Sequence, residues 1–315
     1  PLGINIPNYN EIRQNFGFKN VSLGNVASAR GNGTGPISFI TDEDQELYRE
    51  LAGHSFEVQV GLHELLGHGS GRLLREDAAG KFNFDRAKVV STIDNKPVTS
   101  WYKPGETWGS KFTTIASSYE ECRAETVGLH LCTNEQVLKV FGYEGKEGDD
   151  IAYINWLSMA RSGIAALTFY DPKKDKWGQA HMQARFAILQ IMLRAGNGFI
   201  EVKKDEGGDW RIEMSREKIK TVGAQAVAKF LTRLNVYKAT GDDKAGRALY
   251  ADLTKVDDRF LQVRSYVLSK RKPRNLWVQP VSDIDDAGEV IMREYGATPI
   301  GVIRSFLDRY DGLFN

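Results

Sequence analysis

Cysteine, histidine and long apolar runs are all scarce in this chain. Two of its 315 residues are cysteine, Cys122 and Cys132, and both fall in one stretch whose pattern predicts helix. The helix rise between them is about 15 Å, well beyond the Cα separation a disulfide allows. Reduced thiols and a cytoplasmic location are therefore expected. The longest apolar stretches, such as Ile188–Leu193, fall far short of the ~20 residues that cross a bilayer, so no membrane span is expected. No secretory leader is expected either. Pro1-Leu-Gly-Ile-Asn-Ile-Pro7 has neither a basic start nor a cleavage pattern. It also lacks an initiator methionine, so a segment of something longer is expected. A formal net charge of +1 gives no electrostatic case for nucleic acid or an anionic membrane. The basic run Ser269-Lys-Arg-Lys-Pro-Arg274 reads as a solvated turn. Internal repeats and low-complexity segments are absent.

What is present is an ordinary globular composition, 41% hydrophobic and 26% charged, in a chain long enough for one large domain or two. Residues 1–42 read as extended or looped. Their Gly31-Asn-Gly-Thr-Gly-Pro36 cluster is not preceded by a strand and reads as a surface loop, not a phosphate cradle. A short helix is predicted over Asp42–Gly53, and an apolar one over Ser55–His68. Short strands and turns fill 72–107. Helices follow over Thr113–Leu131, Glu135–Phe141, Asp149–Tyr170 and Gly178–Ala195. A hairpin joins Phe199–Val202 to Trp210–Met214. Three more helices are expected near Ser215–Ala239, Asp242–Leu253 and Asp257–Ser269, a strand at Leu276–Gln279, and a closing helix at Ala297–Tyr310. The class is mainly α with minor β.

Of the five histidines, two frame the stretch Val60-Gly-Leu-His-Glu-Leu-Leu-Gly-His-Gly69. A zinc peptidase ordinarily carries His-Glu-x-x-His on a helix, both imidazoles on the metal and the glutamate as general base. Here one extra residue separates His63 from His68. At about 100° per residue, a spacing of five points two side chains about 140° apart. The motif therefore works only if the helix bulges by one residue near Leu65–Gly67. A catalytic zinc also needs a third protein ligand. The acidic cluster Tyr119-Glu-Glu-Cys-Arg-Ala-Glu-Thr126 can supply it. One of its carboxylates would close the coordination sphere while the others accept hydrogen bonds from the ligand imidazoles. A solvated face paired with Arg123 is the plainer reading of the same cluster. His181 and Arg185 share a helix face. They would suit a substrate or an oxyanion, or equally a buried, satisfied histidine. His54 and His130 read as structural.

With His63-Glu-Leu-Leu-Gly-His68 and Glu120-Glu-Cys-Arg-Ala-Glu125 both present, the chain resembles the dipeptidyl peptidase III family of zinc exopeptidases. Other matching stretches are Gly17–Asn25, Thr114–Tyr119, Gln179–Phe186 and Val278–Pro280, so the likeness runs almost end to end. The resemblance implies a helical zinc-peptidase catalytic lobe over 34–273. It places 1–33 and 274–315 in a β-containing second lobe, with the N-terminal half of the same protein completing it. It implies one zinc held by His63, His68 and Glu121, Glu64 as general base, and Glu120 and Glu125 as partners of the histidines. It gives His181 transition-state stabilisation, Arg185 and Arg274 the far end of the peptide, and Asn5 and Asn8 the free amino terminus. The substrates implied are short peptides, cut to release N-terminal dipeptides, and a monomer is expected. Two alternatives stand beside this reading: a zinc aminopeptidase or endopeptidase of other specificity, and a non-catalytic zinc-stabilised peptide-binding module. The family also draws a substrate-binding tyrosine from the half not present here, so turnover is an expectation for the longer protein.

Overall fold

The computed structural model describes residues 3–7, 10–23, 35–271 and 278–311. By chain contacts it divides into two compact units, Pro1–Ser269 and Lys270–Asn315. The first unit is mainly helical, with small sheets at its margins.

Its entry is a two-stranded antiparallel sheet. β1 (Gly3–Ile6) pairs with β2 (Lys19–Ser22), running from Gly3 opposite Ser22 to Ile6 opposite Lys19. Between them lies a short helix, α1 (Asn10–Phe16), where the sequence pattern had suggested only loop. β3 (Phe39–Ile40) later joins a three-stranded sheet with β6 (Ile200–Lys204) and β7 (Trp210–Met214).

α2 (Gln45–Leu62) buries Tyr48, Leu51, Ser55, Val58 and Leu62. These positions recur every three or four residues, the stripe that seats a helix on a core. The sequence suggested a break at Gly53, but the helix runs through it. Gly53 is exposed, with open space where a Cβ would stand, so its cost of about 1 kcal/mol falls on a helix already held by its buried stripe. At its C-terminal end α2 widens into a π-helical turn, His63–His68. The backbone N–H of Gly69 donates to the carbonyl of Glu64, five residues back.

At the centre of the core is α4 (Ala116–Leu131), which follows a one-turn helix, α3 (Trp108–Phe112). α4 is buried without a break from Cys122 to Leu129, the mark of a helix covered on all sides. α2, the π turn, α7 (Ala180–Arg194) and α8 (Ala224–Thr240) pack against it. α5 (Glu135–Val140), α6 (Gly145–Ala165), α9 (Asp243–Thr254) and α10 (Asp258–Ser269) complete the helical set. A minor hairpin, β4 (Tyr170–Asp171) with β5 (Lys176–Trp177), precedes α7. Cys122 and Cys132 are free and buried. No helix among the described residues is long and apolar enough to cross a membrane.

The π turn lies so close to α4 that a Cβ on Gly67 would sit 2.8 Å from Ala124 Cα and Cβ. Backbone there cannot retreat cheaply. Gly67→Ala is expected to destabilise the chain by about 1–3 kcal/mol, measured as a lowered denaturation midpoint, and to weaken metal binding along with it.

The second unit contains a hairpin, β8 (Val281–Ile284) with β9 (Val290–Arg293), and an amphipathic helix, α11 (Pro299–Tyr310). The hairpin was not foreseen. Of the strand expected at Leu276–Gln279, residues 276 and 277 lie outside the described residues, and 278–279 form no strand.

Candidate metal centre

The π turn redirects His68 onto the side of His63, whose Nε2 comes within 3.1 Å of its own Nε2. α4 presents Glu121 to the same point. Its Oε2 is 3.2 Å from His63 Nε2 and 3.4 Å from His68 Nε2. Three donor atoms thus form a nearly equilateral triangle. The edge of a tetrahedron with zinc-to-nitrogen and zinc-to-oxygen bonds of about 2.0–2.1 Å is about 3.3–3.4 Å. The residues fit such an ion. Glu121 Oε2 is buried and aligned for a hydrogen bond with none of its neighbours, as expected of an oxygen aimed at a shared centre and not at another side chain.

Two further groups border the triangle. One ligand-type atom each of His63, Glu64 and His68 lie within 4.8 Å of one another, and the same holds for His63, Glu121 and His181. Glu64 is buried at 8% exposure. β1 passes directly over it: a Cβ on Gly3 would lie 2.8 Å from Glu64 Oε1. His181, near the start of α7, stays 40% exposed, with Nδ1 3.2 Å from Glu121 Oε2.

Behind the imidazoles the two remaining glutamates of α4 divide the work. Glu120 Oε1 is 3.2 Å from His68 Nδ1. Glu125 Oε2 stands 3.7 Å from His63 Nδ1, and its carboxylate accepts from Gln59 at 2.8 Å and from Arg185 Nε at 2.7 Å. Glu120 accepts from the fully buried Arg123 and from Lys238 of α8. Arg123 also donates to the carbonyl of Gly67 at 2.6 Å, which ties the π turn to α4. The pairing of Arg123 with Glu120 expected of a plain acidic face therefore exists, but inside the centre.

Burial acts against every charge here, and the partners overcome it. Burial lowers His63 first, yet the carboxylates of Glu121 and Glu125 bring its pKa up to about 10. His68 is raised in the same way, against burial, by Glu120 and Glu121. Glu121, raised by burial, is brought down to about 2 by the two imidazoles. Burial would also raise Glu120 and Glu125, but Arg123 and Lys238 hold the first, and Arg185 and His63 the second, well below the usual carboxylate range.

Two consequences follow for pH. The folded pKa of His63 lies above its ordinary 6.5. Its proton therefore stabilises the metal-free fold fully below about pH 6.5, and that contribution is lost as pH rises through about 10. A metal ion must displace the same proton. Zinc binding at pH 7–8 is thus expected to release at least one proton per ion. Calorimetry in buffers of different ionisation enthalpy reads that number directly; a value of zero would contradict the assignment.

Of the residues implied for substrate, Asn5 is buried on β1. Its Nδ2 donates to Asn20 Oδ1 and to the carbonyl of Glu64, at 2.8 and 3.1 Å, while its Oδ1 has no partner. Arg185 is engaged with Glu125. Asn8 and Arg274 lie outside the described residues. Sequence reasoning missed Gln59, Lys238 and Arg13, whose guanidinium donates to the His68 carbonyl. Gln59 alone carried a signal, being one helical turn before His63.

The sequence profile of Peptidase family M49 matches residues 1–310. The chain belongs to that family. It is 50% identical over 316 residues to dipeptidyl peptidase 3 of Nematostella vectensis, covering 99% of this chain and 43% of that one. Against dipeptidyl peptidase 3 of Homo sapiens it is 50% identical over 319 residues, covering 98% and 43%. The chain thus spans less than half the length of these relatives. Among solved structures, dipeptidyl-peptidase III from Corallococcus sp. strain EGB aligns with TM-score 0.56 at 22% identity, covering 86% of this chain and 41% of that one. DPP III from Caldithrix abyssi aligns with TM-score 0.55 at 19% identity, covering 84% and 42%. At these identities the likeness is one of fold.

Proposed function

We propose that this M49 chain is the metal-binding part of a zinc-dependent dipeptidyl peptidase acting on short peptides with a free amino terminus. The observation that carries this reading is the triangle of His63 Nε2, His68 Nε2 and Glu121 Oε2 with the Glu64 carboxylate beside it. Those three residues would hold one zinc. When bound, it would supply a Lewis acid for the scissile carbonyl and make a nearby water more acidic.

The chain's own residues do the rest. Glu64, buried beside the triangle, takes a proton from the attacking water and returns it to the leaving amine. His181, its side chain 40% exposed, donates to the developing oxyanion. Among the described residues β1 pairs only with β2, so its other edge is free to receive a peptide as an added strand, and it runs past Glu64. The unpartnered Oδ1 of Asn5 suits a substrate ammonium, with Asn8 assigned beside it. Arg185 and Arg274 are assigned the far end of the peptide, and Arg185 additionally orients Glu125.

Residues 1–33 and 274–315 are proposed to belong to a second lobe completed by the N-terminal half of a longer protein, with 34–273 as the catalytic lobe. Apolar side chains on the hairpin and helix of Lys270–Asn315, among them Ile284, Val290 and Leu307, are exposed here and suit such a partner. Two free thiols suit a cytoplasmic location.

Release of dipeptides from a pentapeptide by the longer protein, and none from its N-acetylated form, is the expected result. Equal cleavage of both would point to an endopeptidase.

One observation favours a second reading. His181 is close enough to His63 and Glu121 to be a fourth protein ligand, which would close the site and leave a zinc-stabilised binding module. His181→Ala separates the two readings. The catalytic reading expects unchanged zinc affinity with turnover reduced about 10²–10³-fold; the closed site expects zinc affinity to fall with the side chain.

A further inference from the structure

Arg123 has no exposed surface, and a guanidinium so placed needs an acceptor for each of its five N–H groups. It finds all five. Nε donates to Glu120 Oε2 at 3.0 Å, and Nη2 to Glu120 Oε1 and to the Gly67 carbonyl, both at 2.6 Å. Nη1 donates to Ser70 Oγ at 3.2 Å and to Asn235 Oδ1 at 3.5 Å. These acceptors stand on the exit of the π turn, on α4 itself and on α8.

Two of the bonds bear on His68. The Gly67 carbonyl immediately precedes it, in the last turn of the widened helix, where carbonyls run out of helical partners. Arg123 and Ser70 supply them. A cation at that end also suits the helix dipole. The second bond acts through Glu120, whose Oε1, held by Nη2, lies 3.2 Å from His68 Nδ1. A carboxylate on Nδ1 keeps the proton there and leaves Nε2 bare for a metal. Lys238 donates to the other oxygen, Oε2, so its charge alone does not aim Oε1.

We propose that Arg123 is the positioning residue of the metal centre: one guanidinium sets both the backbone that carries His68 and the tautomer in which His68 meets the ion. This role rests on the reading of the triangle as a metal site. Lysine does not replace it, having three donors and no planar fork.

Cobalt(II) is the probe, because its visible bands change with coordination number and symmetry. Arg123→Lys is expected to weaken cobalt binding by about 10–100-fold and to alter the visible spectrum of the loaded site. In the metal-free chain the Gly69 N–H bonds to the Glu64 carbonyl across the π turn. Its hydrogen exchange should accelerate about tenfold in the variant as the turn opens more often. Ser70→Ala removes one acceptor and keeps the guanidinium, so it should move all three readouts the same way by a smaller factor. It decides the question if Arg123→Lys does not fold. An arginine that only supports the fold would lower the denaturation midpoint and leave cobalt affinity and spectrum unchanged. That result in Arg123→Lys, or in Ser70→Ala where the first does not fold, would overturn the proposal. A wild-type chain that takes up no cobalt would instead refute the metal reading, and Gly69 exchange would still judge whether Arg123 holds the turn.

Discussion

Glu121→Ala is expected to strip the chain of its zinc. Its Oε2 lies within 3.4 Å of both His63 Nε2 and His68 Nε2, which are themselves 3.1 Å apart, so it closes a donor triangle with them. Removing an outer partner of a metal ligand costs about 10–100-fold in affinity. Removing a ligand should cost more than that, so equilibrium dialysis against dilute zinc should leave the variant nearly empty while the wild type holds one ion. Glu121→Gln keeps the shape and loses the charge, and should fall between the two. Stoichiometric zinc of unchanged affinity in Glu121→Ala would show that another group is the third ligand, Glu64 being one candidate beside both imidazoles. Because two imidazoles would lose the anion that raises their pKa, the metal-free variant should also titrate closer to the ordinary histidine range.

Glu64→Gln is expected to separate metal binding from turnover. Its carboxylate lies near the donor triangle without belonging to it, and a neutral isostere disturbs neither His63 nor His68. Zinc content should therefore match the wild type. Dipeptide release by the longer protein should drop by about 10²–10⁴-fold, the usual contribution of a positioned general base, in kcat more than in KM, since the proton moves only in the transition state. Full turnover in this variant would remove Glu64 from the mechanism.

Much of this site was legible because its chemistry is local in sequence. The five-residue spacing of His63 and His68 demanded a widened helix, and α2 widens at those residues. Glu120, Glu121 and Glu125 sit on one helix, so their proximity was given by helical geometry once that helix was placed. What was not legible depended on contacts between distant segments. Lys238 reaches Glu120 across 118 residues of chain, and in sequence it is one lysine of an ordinary amphipathic helix. Arg13 belongs to a region rich in glycine and proline that gave no helical period, so α1 and its hold on the His68 carbonyl were missed. Arg185 was recognised from its spacing to His181, but its partner Glu125 lies on another helix, and the pattern of α7 alone does not name it. The uninterrupted α2 has a similar explanation: Gly53 reads as a stop, and only the packing of Tyr48 to Leu62 against α4 and α6 makes the helix continue.

The central claim is that the π turn gathers His63 and His68 around one zinc with Glu121. X-ray absorption at the zinc edge, on the chain loaded to equilibrium and freed of excess metal, tests it most directly. The account predicts one zinc per chain, ligated at about 2.0–2.1 Å by nitrogen and oxygen, with the scattering signature of two imidazoles and no sulfur. Fewer than two imidazoles on the metal, or no metal retained, would contradict it.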